Sequence, residues 1–155
     1  GFIAECPRPT PFIVSQQNLS ASSSRDQFTA QDGLITDDTL TAWCASVKND
    51  KQWLQVDLQE EKDVMALALQ GYNHSWVTTF YVQYSSDGKT WYCYGSETGP
   101  KLFDGNENDE TIKVYVLHLD SIYGRYLRIN PQSWEHDICL RTEIYGCPYD
   151  VNKSK

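Results

Sequence analysis

The sequence predicts an all-β fold of antiparallel strands, a sandwich or a barrel, and three observations carry that expectation. Short runs rich in aromatic and β-branched residues recur along the chain, turn chemistry separates them, and no window offers a sustained amphipathic helix. The first clear run is "QWLQVDL" (52–58), whose alternation sets Trp53, Gln55 and Asp57 on one face and Leu54, Val56 and Leu58 on the other. "VMALALQ" (64–70) and "TFYVQYS" (79–85) follow, and "SSDGKTW" (85–91) places Asp-Gly between two such runs, a hairpin signal. "IKVYVLHL" (112–119), "RYLRIN" (125–130) and "LRTEIYGC" (140–147) complete the set. In "RYLRIN", Tyr126 and Arg128 oppose Leu127 and Ile129, so strands of this kind build a wall between core and solvent. Solvation and ladder pairing account for the polar residues on that wall.

A chain of 155 residues that is 40% hydrophobic buries one good core and is too short for two ordinary domains. One domain is expected over 1–150, with 151–155 a polar tail or linker. The net charge of −8 repels nucleic acid and anionic membranes. No run of 18 or more apolar residues is present, and "GFIAECPRPTPFI" lacks the regions of a signal peptide. The five cysteines, Cys6, Cys44, Cys93, Cys139 and Cys147, include no C-x-x-C pair, which speaks against a zinc knuckle or a thioredoxin-type site. Sequons at Asn18, Asn73 and Asn152 join the cysteines in favouring an oxidising, extracellular compartment with these three as glycosylation candidates.

Catalysis has little to stand on. The histidines are His74, His118 and His136, and there is no nucleophile elbow, phosphate loop or H-E-x-x-H. "DGNENDE" (104–110) fails the EF-hand pattern, because Asp109 and Tyr115 stand where Gly and Glu are required, and reads as a turn with solvated charges.

At "QWLQVDL", "YVQYSSDGKTW", "DGNEN" and above all "RYLRINPQSW…ICLRTEIYGC", the chain resembles the discoidin family, also called the clotting-factor type C or F5/8 type C domain, from Cys6 to Cys147. The resemblance implies an eight-stranded antiparallel jelly-roll-like barrel, of the galactose-binding-domain kind, whose binding loops project at one end. It implies a clasp between Cys6 and Cys147, and a second bridge between Cys44 and Cys139 like that of the collagen-receptor kinase and carboxypeptidase X branches. Cys93, in "WYCYG", is left as a free thiol. An intermolecular bridge is its functional reading, and a small buried apolar side chain between Tyr92 and Tyr94 is the reading its strand context favours.

The same resemblance places four projecting loops: Arg25, Asp26, Gln27 and Phe28; Val47 to Lys51; "GYNHSW" (71–76); and Ser133 to Ile138. Candidate contact residues are Arg25, Asp26, Phe28, Tyr72, His74, Trp76, Glu135, His136 and Asp137. For Trp76 and Trp134 the competing reading is that they cap the barrel end. Membrane-binding members expose bulky apolar side chains ringed by basic ones, whereas the first loop here offers Phe28 beside Asp26. Collagen-binding members use a Trp and an Asn where this chain has Arg25 and Asp137, although Thr29 matches. "AQDGLITDDTLTAW" (30–43) resembles the calcium loop of related sugar-binding modules, with Asp32, Asp37 and Glu143 as the implied ligands and calcium the one cofactor raised. The expectation is a non-catalytic extracellular recognition and adhesion module for a cell-surface or matrix protein or glycan. Calcium-assisted carbohydrate binding, phosphatidylserine binding and collagen binding are the alternatives.

Overall fold

A computed structural model describes residues 8–13, 15–38, 40–96, 98–117 and 121–147. The strands in chain order are β1 (Thr10–Pro11), β2 (Leu19–Ala21), β3 (Trp43–Cys44), β4 (Leu54–Gln70), β5 (Trp76–Ser85), β6 (Tyr92–Cys93), β7 (Gly95–Ser96), β8 (Gly99–Pro100), β9 (Phe103–Asp104), β10 (Lys113–Val116), β11 (Ile122–Glu135) and β12 (Cys139–Gly146). The helical pieces among the described residues are two 3-10 turns, Gln16–Asn18 and Ala30–Gly33. None of them is long and apolar enough to cross a membrane.

The strands form a large sheet running β1-β12-β4-β11-β5-β6, with β2 and β10 also on β4, β9 on β5 and β3 on β12, while β7 and β8 pair separately. All named pairs are antiparallel. The all-β class therefore holds, but the sheets do not close into the expected barrel. The path ends at β1 and β6, two-residue strands that each pair on one side only. The run 52–58, from Leu54 on, and the run 64–70 belong to one continuous strand, β4, which carries on through the residues between them with an irregularity at Gln59, whose φ is 73°.

Alternation decides what is inside. Leu54, Val56 and Leu58 on β4 and Leu127 and Ile129 on β11 are buried as predicted, and they join one core cluster. Phe80 and Phe103 stack at 5.0 Å with Tyr115 edge-on to both, and Trp43 is fully buried with its Nε1 donating to the Ser23 carbonyl at 2.9 Å.

The outward face is more organised than simple solvation. β11 pairs Arg128 with Gln55 on β4 and with Gln83 on β5. In that register the Arg128 guanidinium lies 4.0 Å from the Trp53 ring centroid and 3.9 Å from that of Trp91, while its Nε donates to Gln55 Oε1 at 2.9 Å. Beside it, Arg125 grips Asp57 through two bonds of 2.8 and 3.1 Å, and this pairing holds the Asp57 carboxyl below its usual range.

The Asp-Gly signal marks a longer connection, 86–91, and not a two-residue hairpin. Asp87 accepts from the Lys89 and Thr90 amides, and Gly88 takes the left-handed φ of 74° that only the missing Cβ makes easy. Cys93 is a free thiol, but it is exposed, not the small buried side chain its context suggested, because β6 is a sheet edge. Cys147 is disulfide-bonded. The expected clasp involves Cys6, which lies outside the described residues, as do His118 and Asn152.

Candidate functional site

Three of the four predicted loops converge on a cup of about 370 Å³ lined by Arg25, Phe28, Tyr72, Asn73, Asp137 and the Cys44–Cys139 disulfide, with Asp26 and Ser75. The construction begins at β3. Cys44 accepts the Arg25 amide through its carbonyl at 2.9 Å, and its own amide donates to the Phe28 carbonyl at 3.1 Å. The first loop thus hangs on the same residue that is bonded to Cys139. Gln27 at φ 71° makes the tight reversal between Arg25 and Phe28, which bridge one another. On the other side, buried Gln52 accepts from the Ser22 and Ser23 hydroxyls and donates to Asn49, tying the first loop to the second.

The third loop is a compact turn in which Tyr72 and Ser75 exchange backbone bonds of 2.8 and 2.9 Å. Asn73 and His74 sit at its tip with φ of 46° and 67°. Its base is Gly71, where an added Cβ would lie 2.5 Å from the Ser75 carbonyl oxygen and 2.9 Å from Asp109 Cα, so no other residue fits without movement. Buried Arg141 donates to the Gly71 and Asp38 carbonyls and so anchors this turn to Asp38, and Tyr72 donates its hydroxyl to the Leu40 carbonyl at 2.8 Å. Ser75 Oγ then accepts from the Asp137 amide at 3.3 Å and links the third loop to the fourth.

Charge is concentrated on Asp137. One carboxylate oxygen is 3.1 Å from Arg25 Nη1 and the other 3.0 Å from Lys48 Nζ. The bond from Lys48, with the charge of Arg25 behind it, holds the Asp137 carboxyl below its usual range. The Phe28 and Tyr72 rings of the lining pack on one another, their centroids 5.7 Å apart and their planes tilted by 48°. The result is a small polar concavity with two aromatic rings and an ion-paired carboxylate in its lining. Such a cup can hold a polar ring or a single side chain, and at this volume it is at the small end of the roughly 300–1,000 Å³ of ligand pockets.

Of the predicted contact residues, Arg25, Asp26, Phe28, Tyr72 and Asp137 line the cup; His74, Trp76, Glu135 and His136 do not. His74 projects from the turn, 86% exposed at its side chain, with its amide donating to Asp109. Trp76 is half-buried on β5 opposite Glu135 on β11, and Trp134 is half-buried and packs against the core. His136 is exposed at φ 62° beyond the end of β11.

Asp32, Asp37 and Glu143 do not come together: among the described residues no group of three or more His, Cys, Asp or Glu side chains could hold a metal ion. Asp32 is used in capping, accepting from the Thr29 amide and hydroxyl at 3.0 Å each. Glu143 is buried and accepts from the Ile13 and Ile144 amides at 3.1 and 3.0 Å, and burial pushes its carboxyl above the usual value despite them. Asp37 is exposed. "DGNENDE" also departs from a solvated turn, since Asn106 is buried and donates to the Leu69 and Thr111 carbonyls.

Residues 18–144 match the model of the F5/8 type C domain. The chain is 35% identical over 144 residues to coagulation factor VIII of Mus musculus, covering 87% of this chain and 6% of that protein. It is 36% identical over 114 residues to coagulation factor V of Mus musculus, covering 70% and 5%. It thus spans about a twentieth of the length of these relatives. Among solved structures, discoidin II of Dictyostelium discoideum is similar at a TM-score of 0.77 and 22% identity, over 95% of this chain and 61% of that one. The family 32 CBM of C. perfringens NanJ, solved in complex with galactose, is similar at 0.67 and 16% identity, over 90% of this chain and 100% of that one.

Proposed function

The chain belongs to the F5/8 type C domain family, and from that premise we propose that it is a non-catalytic, extracellular recognition module that takes a glycan of a cell-surface or matrix partner into the cup between the first, third and fourth loops. The observation that carries this reading is the pairing of two tilted aromatic rings, Phe28 and Tyr72, with the ion-paired polar groups of Arg25 and Asp137 around one small concavity. A sugar ring has an apolar face that packs on an aromatic side chain, and hydroxyls that both donate and accept. A galactose complex on the same fold supports the choice.

A second reading, a protein partner, is favoured by Leu40 and Val47, which are 80% and 46% exposed on the segments beside the cup and would widen the contact beyond a single sugar. The deciding experiment is a screen of the purified domain on a glycan array, on collagen and other matrix proteins, and on phosphatidylserine liposomes, each with calcium and with EDTA. Glycan binding that Arg25→Ala and Phe28→Ala each weaken at least tenfold, without calcium dependence and with the melting temperature nearly unchanged, is expected. Matrix-protein binding sensitive to Leu40→Ser moves the assignment to the second reading, and binding indifferent to all three substitutions overturns the cup as the site.

A further inference from the structure

We propose that Asn73 carries an N-linked glycan that stands on the rim of the cup and closes it to macromolecular ligands, so that the glycoform of this single position sets whether the domain binds. The inference rests on the cup being the ligand site. Asn73 is the asparagine of the sequon Asn73-His74-Ser75, and it lines the cup. It occupies the exposed tip of the turn between β4 and β5. Its φ of 46° is a left-handed conformation that asparagine tolerates better than most residues, and the residue is exposed.

The second sequon on the described residues differs. Asn18 is half-buried, its Oδ1 accepts from Gln59 Nε2 at 3.0 Å, and it does not line the cup. A glycan there would leave the binding end untouched.

The chemistry requires only the secretory pathway's oligosaccharide donor, a polyprenyl-diphosphate-linked sugar. The Asn73 amide nitrogen forms a bond to the anomeric carbon, the bond from that carbon to the diphosphate oxygen breaks, the lipid diphosphate leaves, and the amide loses one proton. Sequon recognition also needs the Ser75 hydroxyl, and in the folded domain Ser75 is 4% exposed with its Oγ accepting from the Asp137 amide. The sugar is therefore added before the turn closes, and folding then sets it at the rim. A branched oligosaccharide rooted there is larger than the 370 Å³ it overhangs, so a partner presenting its own glycan or surface meets it before reaching Phe28, Tyr72 or Arg25.

The test uses the domain secreted from glycosylating cells, with occupancy at Asn73 and Asn18 read by glycopeptide mass spectrometry. Two readouts follow: the rate at which phenylglyoxal modifies Arg25, relative to Arg8, and retention on an immobilised asialoglycoprotein that presents terminal galactose. Each is measured before and after enzymatic removal of the glycan from the folded protein, and again on Asn73→Asp and Asn18→Asp variants. Occupied Asn73, with Arg25 modification and retention both rising several-fold on deglycosylation and in Asn73→Asp but not in Asn18→Asp, is the expected result. An unoccupied Asn73, or removal that changes neither readout, overturns the proposal. Faster Arg25 modification with no retention of any form upholds the rim glycan and sinks the glycan-receptor reading instead.

Discussion

Replacing both Cys44 and Cys139 by Ala removes the one bridge that joins the base of the first loop to the base of the fourth. The two residues are separated by 95 positions, and loop-closure entropy for a cross-link of that span is worth about 4.7 kcal/mol at 25 °C. Taking both to Ala leaves no stranded thiol, and since both sites are almost fully buried it avoids placing a hydroxyl in the core. For a chain of this size each kcal/mol moves the melting temperature by roughly 2–4 °C, so a fall on the order of 10–18 °C is expected. Urea unfolding and calorimetry measure it under conditions that leave other disulfides intact. Binding should suffer even below the new melting point, because the Arg25 and Phe28 backbone bonds both end on Cys44 and Ala45 bonds to Ile138. A loss under about 1 kcal/mol would refute the entropy argument and mean that the denatured chain was already constrained. Full binding in the double variant would refute the idea that this bridge shapes the cup.

Arg128→Ala empties the slot between Trp53 and Trp91 and should cost about 1–3 kcal/mol in urea unfolding, with binding unchanged, as two cation–π faces at 4.0 and 3.9 Å imply. Glu143→Gln tests the buried carboxyl. Its raised pKa means that, as pH falls, the native state takes up a proton before the unfolded chain does, so the stability it contributes is full below the ordinary glutamate value of 4.5 and is lost as pH rises through the raised value. The wild type should therefore lose more melting temperature than Glu143→Gln between pH 4.5 and 8, and parallel curves would contradict this. Asp137 has the opposite sign. Its stabilising ion pairs persist above the ordinary aspartate value of 3.8 and disappear as pH falls through the lowered one, so Asp137→Asn should flatten the acid limb only. Cys93 should react completely with a maleimide in the folded protein, leaving the melting temperature within a degree or two.

What could be read in advance divides along physical lines. Period-two alternation found the faces of β4 and β11 because a strand's inside and outside are a local property of its sequence. Ring closure was not legible, since it depends on whether the two edge strands of the path meet, and no local pattern encodes that. The Trp53–Arg128–Trp91 sandwich was half legible: alternation put Trp53 and Arg128 outward, but their meeting depends on the register that sets Arg128 opposite Gln55. The cup behaved similarly. Arg25, Phe28, Tyr72 and Asp137 were placed at one end through family resemblance, whereas Lys48 was seen only as part of a loop, because its pairing with Asp137 spans two loops with no sequence signal between them. The fourth loop, expected over Ser133 to Ile138, is shorter for a local reason. β11 continues through Ser133 and Trp134 to Glu135, paired with Thr79, Val77 and Trp76 of β5, which leaves His136, Asp137 and Ile138 between β11 and β12.

The electrostatics of the cup narrow its ligand further than its shape does. Arg25 and Lys48 are balanced by Asp26 and Asp137, so the immediate surroundings are neutral while the whole chain carries −8. A polyanion approaching from a distance is repelled by the molecule and finds no net positive charge on arrival, because Asp26 and Asp137 together offset the two cations. A strongly cationic partner is drawn in by the overall field but must compete with Arg25 and Lys48 for Asp137. An uncharged ligand meets neither obstacle, and it can use those ion pairs as prearranged donors and acceptors without breaking them. The committed charges then act through fixed geometry, not through attraction, which is the arrangement expected of a site that selects hydroxyl positions on a neutral ring.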